Sequence, residues 1–443
     1  MRSVLVVDDG KLIRTQLALT LKKAGWNVIE AADGLEGIQK ALEYKPSAVI
    51  CDLLMPRCNG FQVCRKLREN SEALPDLKII VLSGQAYDTD RFNALESGAD
   101  EFLLKPVDIG QLIKLLETSH SASKDEAAVS TAADELGRAE VSADEDFVRF
   151  WGVRGSIPTP GPATVYYGGN TSCVELRLAG QLVILDAGSG VRELGDQLMR
   201  EFPGKSLDLT MLLTHSHWDH IQGFPFFVPA YLPHNRVRIR GFEGACQGLE
   251  NTFSMQMETT YFPVGLGQMP GNITFDQQDD LEFDIGPVKC RSTFTNHPGV
   301  TMAYRMEANG GSVVYAPDHE SFTRMRLHSN KAPEEEGRVA DFAAAEDARL
   351  KDFIRGADVL ITDSQYTEAE YSAKVGWGHS CFEDTVQLAL DSGVKRLYLF
   401  HHDPRRSDED LSRIVGEARE LVSAAGSPLI VEAAREGCKV PLG

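Results

Sequence analysis

Residues 212–225 read LLTHSHWDHIQGFP. His215, His217, Asp219 and His220 crowd the end of the apolar run LDLTMLL, in a chain that holds only 11 histidines. A run of that composition reads as a β-strand, so these polar residues occupy the loop at its carboxyl end. A polar turn after a strand is the simplest account of such a loop. The spacing argues for more. Imidazoles separated by one residue of extended backbone can converge on one cation, and the residues just beyond can turn toward a second. Imidazole with carboxylate suits Zn²⁺, Mn²⁺ or Fe. His-x-His alone is a weak signal, whereas His-x-His-x-Asp-His is a strong one.

The chain is 443 residues long, enough for two or three domains that each bury a core. Its net charge of −20 argues against a non-specific grip on DNA through a basic face. The 8 cysteines include no Cys-x-x-Cys pair, and the first residues do not resemble a signal peptide, so we expect reduced thiols and a cytoplasmic location. No apolar run approaches the length of a membrane span, so no membrane partner is expected.

Composition predicts an α/β unit over residues 1–120, a linker over 121–146 and a second globular unit over 147–443. In the first unit SVLVVDD, AVICDLL, KIIVLSG and EFLLKPV read as buried parallel strands. RTQLALTLKKAG and GFQVCRKLRE read as helices, giving a doubly wound pattern. The linker stretch is rich in Ala, Ser, Asp and Glu and lacks aromatics, so it cannot bury enough surface to form a core.

Asp8, Asp9, Asp52, Ser83 and Lys105 each follow a strand of the first unit, where such a sheet presents its carboxyl edge. Carboxylates gathered at one edge repel unless a cation lies among them, and hard oxygen ligands suit Mg²⁺. On VVDD, DLLMPRCNG, VLSG and LLKP this region resembles the receiver domain of bacterial response regulators. The resemblance implies that Asp52 is the phospho-acceptor. It also implies that Asp8, Asp9, Asp52 and the carbonyl of Leu54 hold Mg²⁺. Ser83 and Lys105 would contact the phosphoryl group, Phe102 would occupy the aromatic switch position, and a sensor histidine kinase would be the partner. Pairing of two receivers in a homodimer is one route by which the phosphoryl group could act.

The second unit supplies further candidate ligands, each after a β-rich run: His297 in TFTNHPG, Asp318 in SVVYAPDHE and His401 in RLYLFHHDP. Together with FWGVRGSIPTPGP, YGGNTSCVEL, LDAGSG, NHPG and GWGHS, they resemble the metallo-β-lactamase superfamily. Within it they resemble the branch of ribonuclease Z-type enzymes and cyclic phosphodiesterases. The resemblance implies an αββα sandwich. It gives His215, His217 and His297 to one metal, Asp219, His220 and His401 to another, and Asp318 to both. Asp186 would orient ligands from outside the coordination sphere, and Asp219 and His379 would be catalytic, His379 at the leaving group. His319 and His402 neighbour ligands, and either could displace its neighbour. Arg154 and Asn170 would line the cleft.

The expected whole is a two-domain α/β chain, with a flavodoxin-like receiver before a metallo-β-lactamase sandwich. Its expected function is that of a response regulator whose dinuclear output domain hydrolyses a small cyclic nucleotide or related phosphodiester under control of Asp52. The expected cofactors are two divalent ions, Zn²⁺ first with Mn²⁺ or Fe as alternatives, and Mg²⁺ in the receiver. Residues 221–296, rich in aromatics and prolines, would wall a pocket rather than clamp RNA. Ester, thioester or lactone hydrolysis is one alternative. A di-iron sensor or redox module is another, although such proteins typically carry Glu in place of the histidine at 217. A signalling adaptor with a vestigial site is a third, and the ligand set argues against it.

Overall fold

Alternation along SVLVV sends Val4 and Val6 to one face of a sheet and Leu5 and Val7 to the other, and helices cover both faces. Strands β1 (Ser3–Val7), β2 (Asn27–Ala31), β3 (Ala48–Asp52), β4 (Lys78–Ser83) and β5 (Glu101–Leu104) are all parallel, in the order β2-β1-β3-β4-β5. This is the flavodoxin-like order, and it sets the carboxyl ends of β1 and β3 side by side. Leu17 and Leu21 of helix Lys11–Lys23 pack on one face, and Phe61, Cys64 and Leu67 of helix Gly60–Glu69 on the other. The computed structural model describes residues 2–442 apart from 54, 56–57, 59, 72, 84–90, 92–93, 96, 106, 118–136, 143–144, 242–247, 278–279 and 327–332.

The second unit has two mixed sheets. One contains β6 (Phe147–Gly152), β7 (Cys173–Leu178), β8 (Gln181–Leu185), β9 (Asp208–Leu213), β10 (Arg236–Gly241) and β11 (Asn272–Gln277). The other contains β12 (Glu282–Ile285), β13 (Val288–Phe294), β14 (Met302–Ala308), β15 (Gly311–Ala316), β16 (Val359–Asp363), β17 (Arg396–Phe400) and β18 (Ile430–Ala433). The last strand, β19 (Lys439–Pro441), returns to the edge of the first sheet beside β6.

Between the sheets lies a core that includes Phe150, Leu176, Val183 and Leu212 from one side and Tyr304, Val313, Tyr315 and Phe400 from the other. Helix Val191–Glu201 packs Leu194 and Leu198 on the outer face of the first sheet. Helices Phe382–Asp391 and Asp408–Ala424 cover the outer face of the second. The layers are therefore αββα, as the resemblance implies. Because each sheet is covered outside by helices and inside by its partner, strands such as β8 and β15 read as nearly continuous apolar runs.

Two expectations need revision. Phe224, Phe227 and Phe253, within the segment expected to wall a pocket, are fully buried beneath the first sheet and build its helical-side core. Arg154, expected at the cleft, is also fully buried and donates to the carbonyls of Gly168, Asp403 and Arg406, tying loops together beneath the surface. Of the stretch read as linker, residues 121–136 lie outside the described residues. Arg138 pairs with Ser206 across an isolated bridge, and Asp146 accepts the Ala179 N–H at 2.7 Å, both within the second unit. Among the described residues no helix is long and apolar enough to cross a membrane.

Candidate functional site

At the carboxyl edge of the receiver sheet, Lys105 Nζ lies 2.8 Å from Asp8 Oδ2 and 2.9 Å from Asp52 Oδ1. Burial raises the Asp52 carboxyl above its ordinary value even with Lys105 beside it. Burial alone would lower Lys105, but Asp8 and Asp52 outweigh it and raise the ammonium. One lysine thus faces two buried carboxylates, with Asp9 exposed next to them. The uncompensated negative charge fits a divalent cation. Ser83 is buried at the end of β4, its carbonyl accepting the Lys105 N–H at 2.7 Å, and Phe102 is half-buried. Leu54 lies outside the described residues.

The second cluster assembles where strands of both sheets end. β9 delivers His215 and His217, and the short helix Trp218–Ile221 delivers Asp219 and His220. The loops after β13, β15 and β17 bring His297, Asp318 and His401. His215 Nε2 lies 2.9 Å from His217 Nδ1, and that nitrogen lies 3.1 Å from His297 Nε2. Asp318 divides its two oxygens. Oδ2 is 3.6 Å from His215 Nε2 and 3.5 Å from His297 Nε2. Oδ1 is 3.3 Å from both His220 Nε2 and His401 Nε2. Asp219 Oδ2 completes the second group at 3.0 Å from His401 Nε2.

These atoms fit metal ions better than one another. Among the described residues His220 Nε2 and Asp318 Oδ1 are buried without a hydrogen-bond partner, an arrangement that is costly unless something else binds them. Burial pushes His215 well below the ordinary imidazole value and takes His297 to about 4, so both are neutral donors at pH 7. Burial would raise Asp219 and Asp318. The neighbouring His220 and His401 outweigh it and hold both carboxyls well below the usual range. Burial would lower His401, but Asp318 and Asp219 raise it to about 9. Divalent cations replacing those protons would satisfy the same carboxylates.

Surrounding groups set the ring orientations. Asp186, at a backbone φ of +59°, accepts from His220 Nδ1 at 2.7 Å, from the Thr214 N–H at 2.8 Å and from the Tyr315 hydroxyl at 2.9 Å. His297 Nδ1 donates to the Gly378 carbonyl at 2.8 Å. Asp219 Oδ2 also accepts the Ser156 N–H at 2.7 Å.

His379 precedes helix Phe382–Asp391 and hangs over the cluster, its ring centroid 5.0 Å from that of His297 and 4.9 Å from that of His401. Its Nδ1 lies 2.7 Å from Asp363 Oδ2. Asp363 was not singled out in the sequence, although it ends β16 in the same way that Asp186 follows β8. That shared position was the available signal. His402 hydrogen-bonds the Ala434 carbonyl through Nε2 at 3.0 Å, and His319 Nδ1 accepts the Asn296 N–H at 3.3 Å. Burial lowers His402 to about 3 and His319 to about 4. One ring nitrogen of each is thus engaged by a backbone group. Asn170 donates to Glu436 through its side-chain amide at 3.1 Å.

Residues 4–117 match the family model of the response regulator receiver domain, and residues 181–333 match that of the beta-lactamase superfamily domain. The chain therefore joins a stretch that matches the response regulator receiver domain to one that matches the beta-lactamase superfamily domain. The response regulator MprA of Mycobacterium ulcerans is 36% identical over 132 residues, 29% of this chain and 56% of that protein. The DNA-binding dual master transcriptional regulator RpaA of Synechocystis sp. is 32% identical over 113 residues, 26% of this chain and 46% of that protein. The chain thus spans about half the length of these curated relatives. Among solved structures, the metallo-beta-lactamase fold protein YhfI of Bacillus subtilis aligns with a TM-score of 0.47 at 16% identity, over 67% of this chain and 99% of that one. A diphosphatase from the PhnP family aligns with a TM-score of 0.44 at 16% identity, over 67% and 97%.

Proposed function

We propose that this chain is a response regulator whose output is a dinuclear-metal hydrolase acting on a phosphodiester, a small cyclic or linear nucleotide in particular. The observation that carries this reading is the division of Asp318, with one oxygen toward His215 and His297 and the other toward His220 and His401. A carboxylate divided in this way could serve two cations, His215 and His297 holding one and His220 and His401 the other. Two divalent ions held there would supply a nucleophilic water near neutral pH and neutralise charge on a phosphoryl group.

The remaining work falls to the chain. Asp363 ties down Nδ1 of His379, so that in its protonated form His379 would present the Nε2 proton to the departing oxygen and be left neutral. Asp219 keeps its ligand role while fixing the Ser156 backbone beside the centre. Trp218 is 71% exposed directly after His217, and Trp377 is 56% exposed two residues before His379. Lys374 Nζ sits 3.9 Å above the Trp377 ring. Exposed indoles with a cation at the rim favour a ligand with a flat base and a phosphate over an alkyl ester. In the receiver, phosphorylation of Asp52 by a histidine kinase, with Mg²⁺ at Asp8 and Asp9, would bias the output.

Metal-replete protein assayed against cyclic nucleotides, dinucleotides, an aryl phosphodiester, thioesters and lactones tests this reading. Turnover concentrated in the phosphodiesters is expected. Turnover confined to lactones or thioesters would replace this reading with the ester alternative.

A further inference from the structure

Glu320 is 1% exposed, yet its carboxylate has a full set of donors. Oε1 accepts the Tyr371 hydroxyl and the Gly376 N–H at 2.8 Å, and Oε2 accepts the Gly378 N–H at 2.8 Å. The Glu320 backbone is tied as closely. Its N–H donates to the Asn296 carbonyl at 2.8 Å, and its carbonyl accepts from Asn296 Nδ2 at 2.9 Å. One residue therefore joins the loops that carry Asp318, His297 and His379.

The turn it grips allows little freedom. Gly376 and Gly378 have φ of +83° and +84°, where a side chain is strained. A Cβ on Gly378 would also come within 2.4 Å of His297 Nδ1. The Gly378 backbone thus lies directly against the His297 ring, and its carbonyl accepts the Nδ1 proton at 2.8 Å. A carbonyl can only accept, so this contact selects the tautomer that leaves His297 Nε2 unprotonated and facing Asp318.

We infer that Glu320 is a positioning residue for the candidate centre. It clamps the Gly376–Gly378 turn so that the Gly378 carbonyl fixes the tautomer and aim of His297 while His379 is held over the cluster. This rests on the dinuclear reading above for its consequence in turnover, but not for its effect on His297.

The test is Glu320→Gln, whose amide cannot accept both glycine N–H groups as the carboxylate does. Imidazole ¹⁵N spectra of the metal-free full-length protein report the His297 tautomer directly. The Nδ1-protonated population of His297 is expected to fall in the variant. In the metal-loaded protein, kcat should drop about 10- to 100-fold with KM changed by less than about 3-fold, the size seen when an outer-shell partner is lost. Should Glu320→Gln fail to accumulate, Glu320→Asp, one methylene short of both glycines, is expected to show the same tautomer shift in smaller measure. A folded variant whose His297 tautomer matched the wild type would overturn the inference, even if its kcat had fallen. If the wild type hydrolysed nothing in the substrate panel, the functional reading would fail while the tautomer measurement still judged Glu320.

Discussion

Asp363 Oδ2 and His379 Nδ1 lie 2.7 Å apart, with both side chains buried. Asp363 is itself held, since its Oδ1 accepts the Gln365 N–H at 3.0 Å and the Ser380 N–H at 3.3 Å. A histidine tied in this way has one nitrogen fixed and the other free for the reaction. His379→Ala is therefore expected to keep both metals and lose about 10²- to 10⁴-fold in kcat. Asp318→Ala should lose both metals, because its two oxygens serve two groups of ligands. Elemental analysis of the purified variants beside their kinetics checks the pair. Metal loss from the His379 variant would move that residue into the ligand set.

Asp186 makes its contribution through His220. With three kinds of donor converging on its carboxylate, it holds His220 Nε2 toward Asp318 and Asp219. Asp186→Asn should weaken the site of Asp219, His220 and His401 by about 10- to 100-fold and leave the other site nearly unchanged. Asn tolerates the left-handed backbone at this position, so backbone strain does not confound the result. Competition with a chromophoric chelator should resolve one tight and one weakened site.

Asp52 shares Lys105 with Asp8, and in the proposed reading Asp52 is the group that receives the phosphoryl. Asp52→Asn is expected to abolish labelling by acetyl phosphate while leaving basal hydrolysis within about 2-fold. A beryllofluoride mimic should raise hydrolysis by the wild type about 5- to 150-fold, the range of 1–3 kcal/mol of coupling. It should do nothing to Asp52→Asn. Equal kinetics and equal oligomeric state with and without the mimic would leave the receiver a docking role only.

Glu436 carries a pH prediction. Burial raises its carboxyl from 4.5 to about 7, although the Asn170 backbone and side-chain amides donate to it. Between those values the folded chain keeps a proton that the unfolded chain has released. Stability from this group is therefore present at low pH and declines as pH rises through the window. Glu436→Gln stays neutral throughout, so its stability relative to wild type should improve by about 1–2 kcal/mol from pH 5 to pH 8, after allowance for solvent screening of a half-buried group. Urea titrations at the two pH values measure this. A constant difference would mean that Glu436 does not titrate in that range.

The strands and the polar candidate residues at their ends were legible in the amino-acid sequence because both are local, whereas the αββα layering of the second unit came from the resemblance. Alternation in SVLVV and the unbroken apolar runs of β8 and β15 report which faces of a strand are covered. A polar residue just past such a run, as with Asp8, Asp52, Asp186, His215, Asp318 and His401, marks the sheet edge where sites form. The tertiary structure alone decided how these residues meet. The approach of the two sheets brings His215 and His220 from one to Asp318 of the other, while loops after neighbouring strands of the second sheet set Asp363 against His379 and let Glu320 reach Gly376 and Gly378. It also placed in the interior Arg154, for which the resemblance implied a cleft, and Phe224 and Phe227, whose segment's composition suggested a pocket wall. Burial and side-chain pairing depend on contacts between segments far apart in the chain, and local periodicity carries no record of which distant segment arrives.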